Sequence, residues 1–232
     1  MVNAAGGSGS VVSVIIPCFN AAATLPECLD SVFGQDRPPD EVLLMDDGST
    51  DETAAIAQHY GARLRFISQP RQGPGAARNA AVRLARGDVI GFLDADDLWP
   101  PDSLRCRLAV LEADPDVAAV TGLVEHFRAE TAGRQGGRRL PPVQKVRIVC
   151  AMLVRRMVFD RIGWFDASDR LGEQFDWVAR LADSGLRMAE LDQIVWRRRV
   201  HDRNIGTRLR DQRGEYLHVL KEMLDRRRAL AG

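Results

Sequence analysis

Four cysteines, two tyrosines and no surplus of either charge leave several protein classes without support. Cys18, Cys28, Cys106 and Cys150 make no C-x-x-C pair and no match to histidine at metal-finger spacing. Neither a disulfide framework nor a structural zinc site is expected, and the thiols read as reduced core residues of a cytoplasmic protein. Lys and Arg number 32 and so do Asp and Glu, so the bulk positive field of a generic polyanion binder is missing and nucleic acid is not expected as a partner. No stretch approaches the run of about 18 apolar residues that a membrane helix needs. The opening "MVNAAGGSGS" lacks the basic and apolar regions of a signal peptide, and residues 1–10 read as a flexible Gly/Ser lead-in. Dinucleotide-binding glycines are missing too. "IIPCFNAA" has no glycine after the first apolar run, and "GPGAAR" ends in Arg78 where a third glycine would stand.

What is present is an α/β pattern, with 45% hydrophobic residues to fill one sizeable core. "VVSVII" reads as a strand ended by Pro17, and Leu25, Leu29, Val32 and Phe33 then fall at helical spacing. "EVLLM" repeats the design: it breaks at Asp46-Asp47-Gly48, and Ser49 or Thr50 can cap a helix holding Ala54, Ile56 and Ala57. "RLRFISQ" is a third strand, "GPGAARNAAVRLARG" a third helix closed by Gly87, and "DVIGFLDADD" a fourth strand. Such alternation predicts a mostly parallel central sheet flanked by helices, Rossmann-like, with ligands beyond the carboxyl ends of the strands. Three polar clusters, "PCFN", "DDGSTD" and "DADD", fall at those ends. Further on, Leu104, Leu108 and Leu111 share a helix face, "DVAAVTGLVEHF" reads as a strand, 128–147 as an exposed loop, "LGEQFDWVARLADSG" as a helix and "LRMAELDQIVWRRRVH" as strands. Leu217, Leu220 and Leu224 mark a C-terminal helix over 206–232, suited to core packing, to pairing in a homodimer or to lying on a membrane.

Asp94, Asp96 and Asp97 at one strand end repel each other unless a cation or positive side chains neutralise them. A hard divalent ion, Mg2+ or Mn2+, is the simplest answer, because such ions take carboxylate oxygens together with waters and substrate phosphates. The competing reading is a turn with Asp caps. Asp46 and Asp47 repeat the pattern of apolar strand and acidic turn, although turn-making alone would also account for them.

Taken in order, "VSVIIPCFNAAATLPECLDSVFGQ", "EVLLMDDGSTDET", "GPGAARNAAVRLARGDVIGFLDADDLW" and "GEQFDWVARLADSG" resemble the family-2 glycosyltransferases of the GT-A fold over about residues 11–205. The resemblance implies an enzyme that binds a nucleotide-diphosphate sugar, UDP by family habit, and transfers the sugar with inversion to a hydroxyl of a saccharide, lipid-linked glycan or peptide. It implies a nucleotide-sugar-binding half at 11–101 and an acceptor-binding half at 102–205. Pro17, Phe19, Asn20, Asp47, Gly75, Arg78, Asp94 and Ala95 would then meet the donor, with Asp94 and Asp96 as the DXD pair. Asp96 and His201 would hold the metal. Gly73, Gly75 and Arg78 read equally well as a helix entry with Pro74 in its first turn. An aspartyl phosphatase also uses an Asp-x-Asp pair, but in proteins of that kind it follows the first strand, and here it follows the fourth.

One position departs from the family pattern. Similar sequences carry Gly-Glu-Asp, whose aspartate is the base, and Gln174 stands there instead; a carboxamide cannot take a proton at neutral pH. Glu173 is expected to serve as base; the alternatives are that Asp176 serves from the next turn, or that transfer has been lost and only donor binding remains. Between 128 and 161, nine Lys or Arg face two Asp or Glu. This run, with Arg197, Arg198 and Arg199, suits a phosphate-bearing acceptor or an anionic membrane surface, or else a solvated face. Trp99 and Trp164 could stack on a sugar or fill the core.

Overall fold

The computed structural model describes residues 9–128, 140–168 and 173–201; the helix expected over 206–232 and the middle of the basic loop lie outside them. Four strands, β1 (Val12–Cys18), β2 (Glu41–Asp46), β3 (Arg65–Ser68) and β4 (Val89–Phe92), form a parallel array in the order β3-β2-β1-β4. Val, Ile and Leu fill β1 and β2, which are buried along almost their whole length, as central parallel strands covered on both faces must be. Contrary to the sequence expectation, Pro17 does not end β1. The ladder with β4 stops opposite Ile15, so the missing N–H of Pro17 removes no hydrogen bond on that side.

Helices α1 (Leu25–Phe33) and α2 (Thr53–His59) follow β1 and β2, and α3 (Pro74–Leu84) returns the chain from β3 to β4 across the sheet. Right-handed crossovers running one way and then back place α1 and α2 on one face and α3 on the other. Helix α3 stops at Leu84, three residues before Gly87, with an extended Ala85 as its cap. Helix α4 (Ser103–Ala113) packs against β5 (Val117–Phe127).

The second half of the sheet is mixed. β5 pairs along its length with parallel β8 (Arg187–Arg199), and its other edge takes antiparallel β7 (Leu153–Arg155) and the two-residue β6 (Gln144–Lys145) at different heights. β7 in turn runs antiparallel to β4, so β5 and β8 end on the same rim as β1, β2 and β4. Helices α5 (Met157–Ile162) and α6 (Glu173–Asp183) close the face that carries α3. Trp177 of α6 is fully buried, with its ring 5.0 Å from Phe159 and 5.1 Å from Phe165. Asn79 of α3 holds residue 165 in place, donating to its carbonyl at 2.9 Å and accepting from its N–H at 3.0 Å.

Much of the basic run is structural. Arg155 donates to the carbonyl of Leu111 in α4, and Arg156 to those of Val82 and Ala85 at the end of α3; these are C-terminal groups that cations stabilise. Lys145 and Arg147 pair with Asp192 and Glu190.

Candidate active site

The loops after β1 and β2 are knitted together by main-chain and side-chain bonds. Asn20, at a φ of 51°, donates its N–H to Ser49 Oγ and accepts from Thr50 N, each at 2.8 Å. Ala21 and Ala22 donate to Thr53 and Asp51. Pro17 is buried at the end of β1, and Phe19 leaves the strand into solvent with the Arg71 guanidinium 3.8 Å from its ring centroid. Asp47 is buried and fastens the loop after β3: its carboxylate accepts from Gln69 Nε2, Gln72 N and Gly73 N, all at 2.8 Å. Gly48, at a φ of 80°, lets that loop lie close; a side chain there would be strained.

The acidic turn after β4 divides its three carboxylates between two kinds of work. Asp94 and Asp96 remain about one-third exposed on the rim. Asp97 turns inward and accepts from Trp196 Nε1 at 2.9 Å and Arg199 N at 2.8 Å. Burial first, then the charges of Asp96 and Asp94, push the Asp97 carboxyl well above its ordinary range against those two hydrogen bonds. Ala95 between them is buried. Arg199 grips the turn from β8: its Nε donates to Asp96 O at 2.8 Å and its Nη2 meets Glu27 of α1 at 2.5 Å. Leu98 and Arg197 exchange main-chain hydrogen bonds beside it. In the sequence these arginines suit an acceptor, an anionic membrane surface or a solvated face. Their bracing role depends on contacts about a hundred residues apart, which no local pattern records.

Just past β8, His201 Nε2 lies 3.0 Å from Asp96 Oδ2. The two expected metal ligands, 105 positions apart in sequence, thus meet at the rim. An imidazole nitrogen and a carboxylate oxygen suit Mg2+ or Mn2+ whose shell is completed by water and phosphate oxygens. Among the described residues, no group of three or more His, Cys, Asp or Glu is placed to hold an ion by itself.

Arg78 comes from α3 and is fully enclosed, with Nη2 2.7 Å from Asp94 Oδ1 and Nη1 2.5 Å from Glu173 Oε1. Burial works against its charge, but Asp94 and Glu173 outweigh it and hold the guanidinium above its usual range. Burial also raises the Glu173 carboxyl, opposed by Arg78. Gly75 is a packing glycine here: a Cβ would lie 2.8 Å from Asp166 O and 3.2 Å from Glu173 Cγ. Asp176 is brought instead to Arg180, 2.9 Å away, whose guanidinium also donates to the carbonyls of Ile162 and Trp164. Gln174 keeps a buried Oε1 with no hydrogen-bond partner among the described residues. Trp99 is core, its indole N–H on Cys150 O at 3.3 Å. Trp164 lies under Arg83, in the last turn of α3, away from the rim.

A model of the family described as Glycosyl transferase family 2 matches residues 13–163. The chain is 31% identical over 226 residues to chondroitin synthase of Escherichia coli, covering 93% of this chain and 33% of that protein. It is 28% identical to hyaluronan synthase of Pasteurella multocida over 93% of this chain and 23% of that protein. It therefore spans about a quarter to a third of the length of these relatives. Among solved structures, mannosyltransferase PcManGT from Pyrobaculum calidifontis, in complex with GDP-Man and Mn2+, superposes with a TM-score of 0.72 at 23% identity, over 94% of this chain and 65% of that one. S. aureus TarS 1-349 in complex with UDP-GlcNAc gives 0.69 at 21%, over 83% and 59%. At these identities the likeness establishes the shared fold.

Proposed function

The chain belongs to glycosyl transferase family 2, and on that footing we propose that it moves a sugar, with inversion, from a nucleotide-diphosphate donor to an acceptor hydroxyl. The observation that carries this reading is the meeting of Asp94, Asp96 and His201 on one rim with the loop fastened by Asp47. That rim lies at the carboxyl ends of β1, β2 and β4, beside the point where the strand order reverses, where open α/β sheets take their ligands.

In this reading Phe19 offers its ring face to the base, and Asp47 has one carboxylate lone-pair direction left for a base or ribose donor. Asp94 turns its outer oxygen to the ribose. Asp96 and His201 hold Mg2+ or Mn2+, which, when bound, supplies Lewis-acid charge to the diphosphate. The acceptor hydroxyl attacks from the opposite face and needs a base within hydrogen-bond reach; α6 offers Glu173 and Asp176, and Gln174 cannot serve. Relatives named as synthases favour transfer over donor binding alone. UDP is the first donor nucleotide to try, because TarS was solved with UDP-GlcNAc, and GDP the second, after the mannosyltransferase.

A thermal-shift screen of UDP- and GDP-sugars with and without Mn2+ tests the reading. A ligand at 100 times its Kd adds about 2.7 kcal/mol, a rise of roughly 5–10 °C for a chain of this size. The rise is expected only with nucleotide and Mn2+ together, and its absence for every donor refutes the proposal.

A further inference from the structure

A single guanidinium joins the acceptor-side helix to the acidic turn. Glu173, in the first turn of α6, and Asp94, after β4, each give one oxygen to Arg78, yet the Glu173 side chain is 3% exposed and that of Asp94 35%. The enclosure of Glu173 is built in, since the missing side chain at Gly75 lets the first turn of α6 rest directly on α3. A proton acceptor must reach the hydroxyl it deprotonates. Glu173 has little open surface, and its nearest cation already uses its charge.

We propose that Glu173 is a positioning residue that acts through Arg78 on Asp94. Its carboxylate occupies one arm of the guanidinium, so that the other arm fixes one oxygen of Asp94 and leaves the second directed at the donor. With Glu173 neutral, the whole positive charge falls on Asp94, draws its carboxylate inward and weakens its hold on the nucleotide. The proposal rests on the donor site described above and removes Glu173 from the base role.

The probe is UDP with Mn2+, titrated calorimetrically into the full chain as wild type, Glu173→Gln, Arg78→Met and the double variant. Glu173→Gln is expected to raise the Kd about tenfold in the wild-type background. In the Arg78→Met background it is expected to change the Kd less than about twofold, because the route to Asp94 is already cut. Equal effects in both backgrounds, or no effect in the first, overturn the proposal. If Arg78→Met does not fold, Arg78→Lys takes its place, since an ammonium cannot bridge two carboxylates as the planar fork does. In a transfer assay, loss of positioning raises the donor KM and leaves the pH profile in place. A fall in kcat of roughly 10²–10⁴-fold, with donor KM unchanged and the acid limb gone, would show Glu173 to be the base. Failure of the wild type to bind either UDP or GDP sinks the donor reading itself, a result distinct from any pattern within the cycle.

Discussion

Asp97 and its neighbour Asp96 have the same side chain and opposite tasks. Asp96 faces the rim; Asp97 satisfies an indole N–H and a main-chain N–H in the interior. Asp97→Ala leaves both donors buried and unpaired and is expected to cost about 2–4 kcal/mol in urea unfolding, whereas Asp97→Asn keeps one acceptor and loses less. Asp47 makes a second residue-scale prediction. With its three loop bonds gone in Asp47→Ala, the segment 69–73 opens and trypsin should cut after Arg71 faster than in the wild type, as read by mass spectrometry of the early fragments. The sequence showed where carboxylates cluster, because charge beside an apolar strand stands out. It did not show which of them point inward, since Trp196 and Arg199 reach Asp97 from a strand about a hundred residues away. In the sequence Arg78 reads as a donor contact or as part of a helix entry; its burial between two acids depends on how α3, α6 and β4 converge.

Among the elements, β2 carries a pH-sensitive staple at its first residue. Glu41 is partly desolvated, which alone would raise its pKa, but hydrogen bonds from Arg86 N, Ser13 Oγ and Arg65 prevail and lower it. Its folded value therefore lies below the unfolded one. The contribution is present above about pH 4.5, the ordinary glutamate value, and fades as pH falls through the folded value. Glu41→Gln is expected to lower Tm at pH 7 and to flatten the decline of Tm between about pH 5 and pH 3, as read by calorimetry at several pH values. β1 to β4, α1, α3, α4 and α6 were legible because each carries a local period or a Gly or Pro boundary. β7 was not: inside "IVCAMLVRR" it is only Leu153 and Val154, buried, and the partly buried Arg155, too short a run for alternation to distinguish strand from helix. Its antiparallel placement beside β4 is a tertiary choice.

At the scale of the whole molecule, one core runs beneath both halves of the sheet. Cys18, Cys28 and Cys150 are buried in it as free thiols, and burial, aided by nearby carboxylates, pushes all three pKa values up. In the native protein a thiol reagent should label Cys106 alone, and slowly, since it too is partly buried and raised. The other three should react only across the unfolding transition; early labelling of Cys28 or Cys150 would show a local opening beside the acidic turn, and of Cys18 one beside Asp46. The parallel pairing of β5 with β8 was beyond sequence reading, because its register shifts three times and its partners lie about seventy residues apart.

The acidic turn is fastened by residues that the ribosome makes last among those described here. Its aspartates are synthesised about a hundred positions before Arg199 and His201. On the reading given above, an emerging chain can complete β1 to β4 and still have nothing to grasp a cation or a nucleotide. Donor would be consumed only after β8 clears the exit tunnel and docks, so nascent chains that stop short of it remain chemically silent.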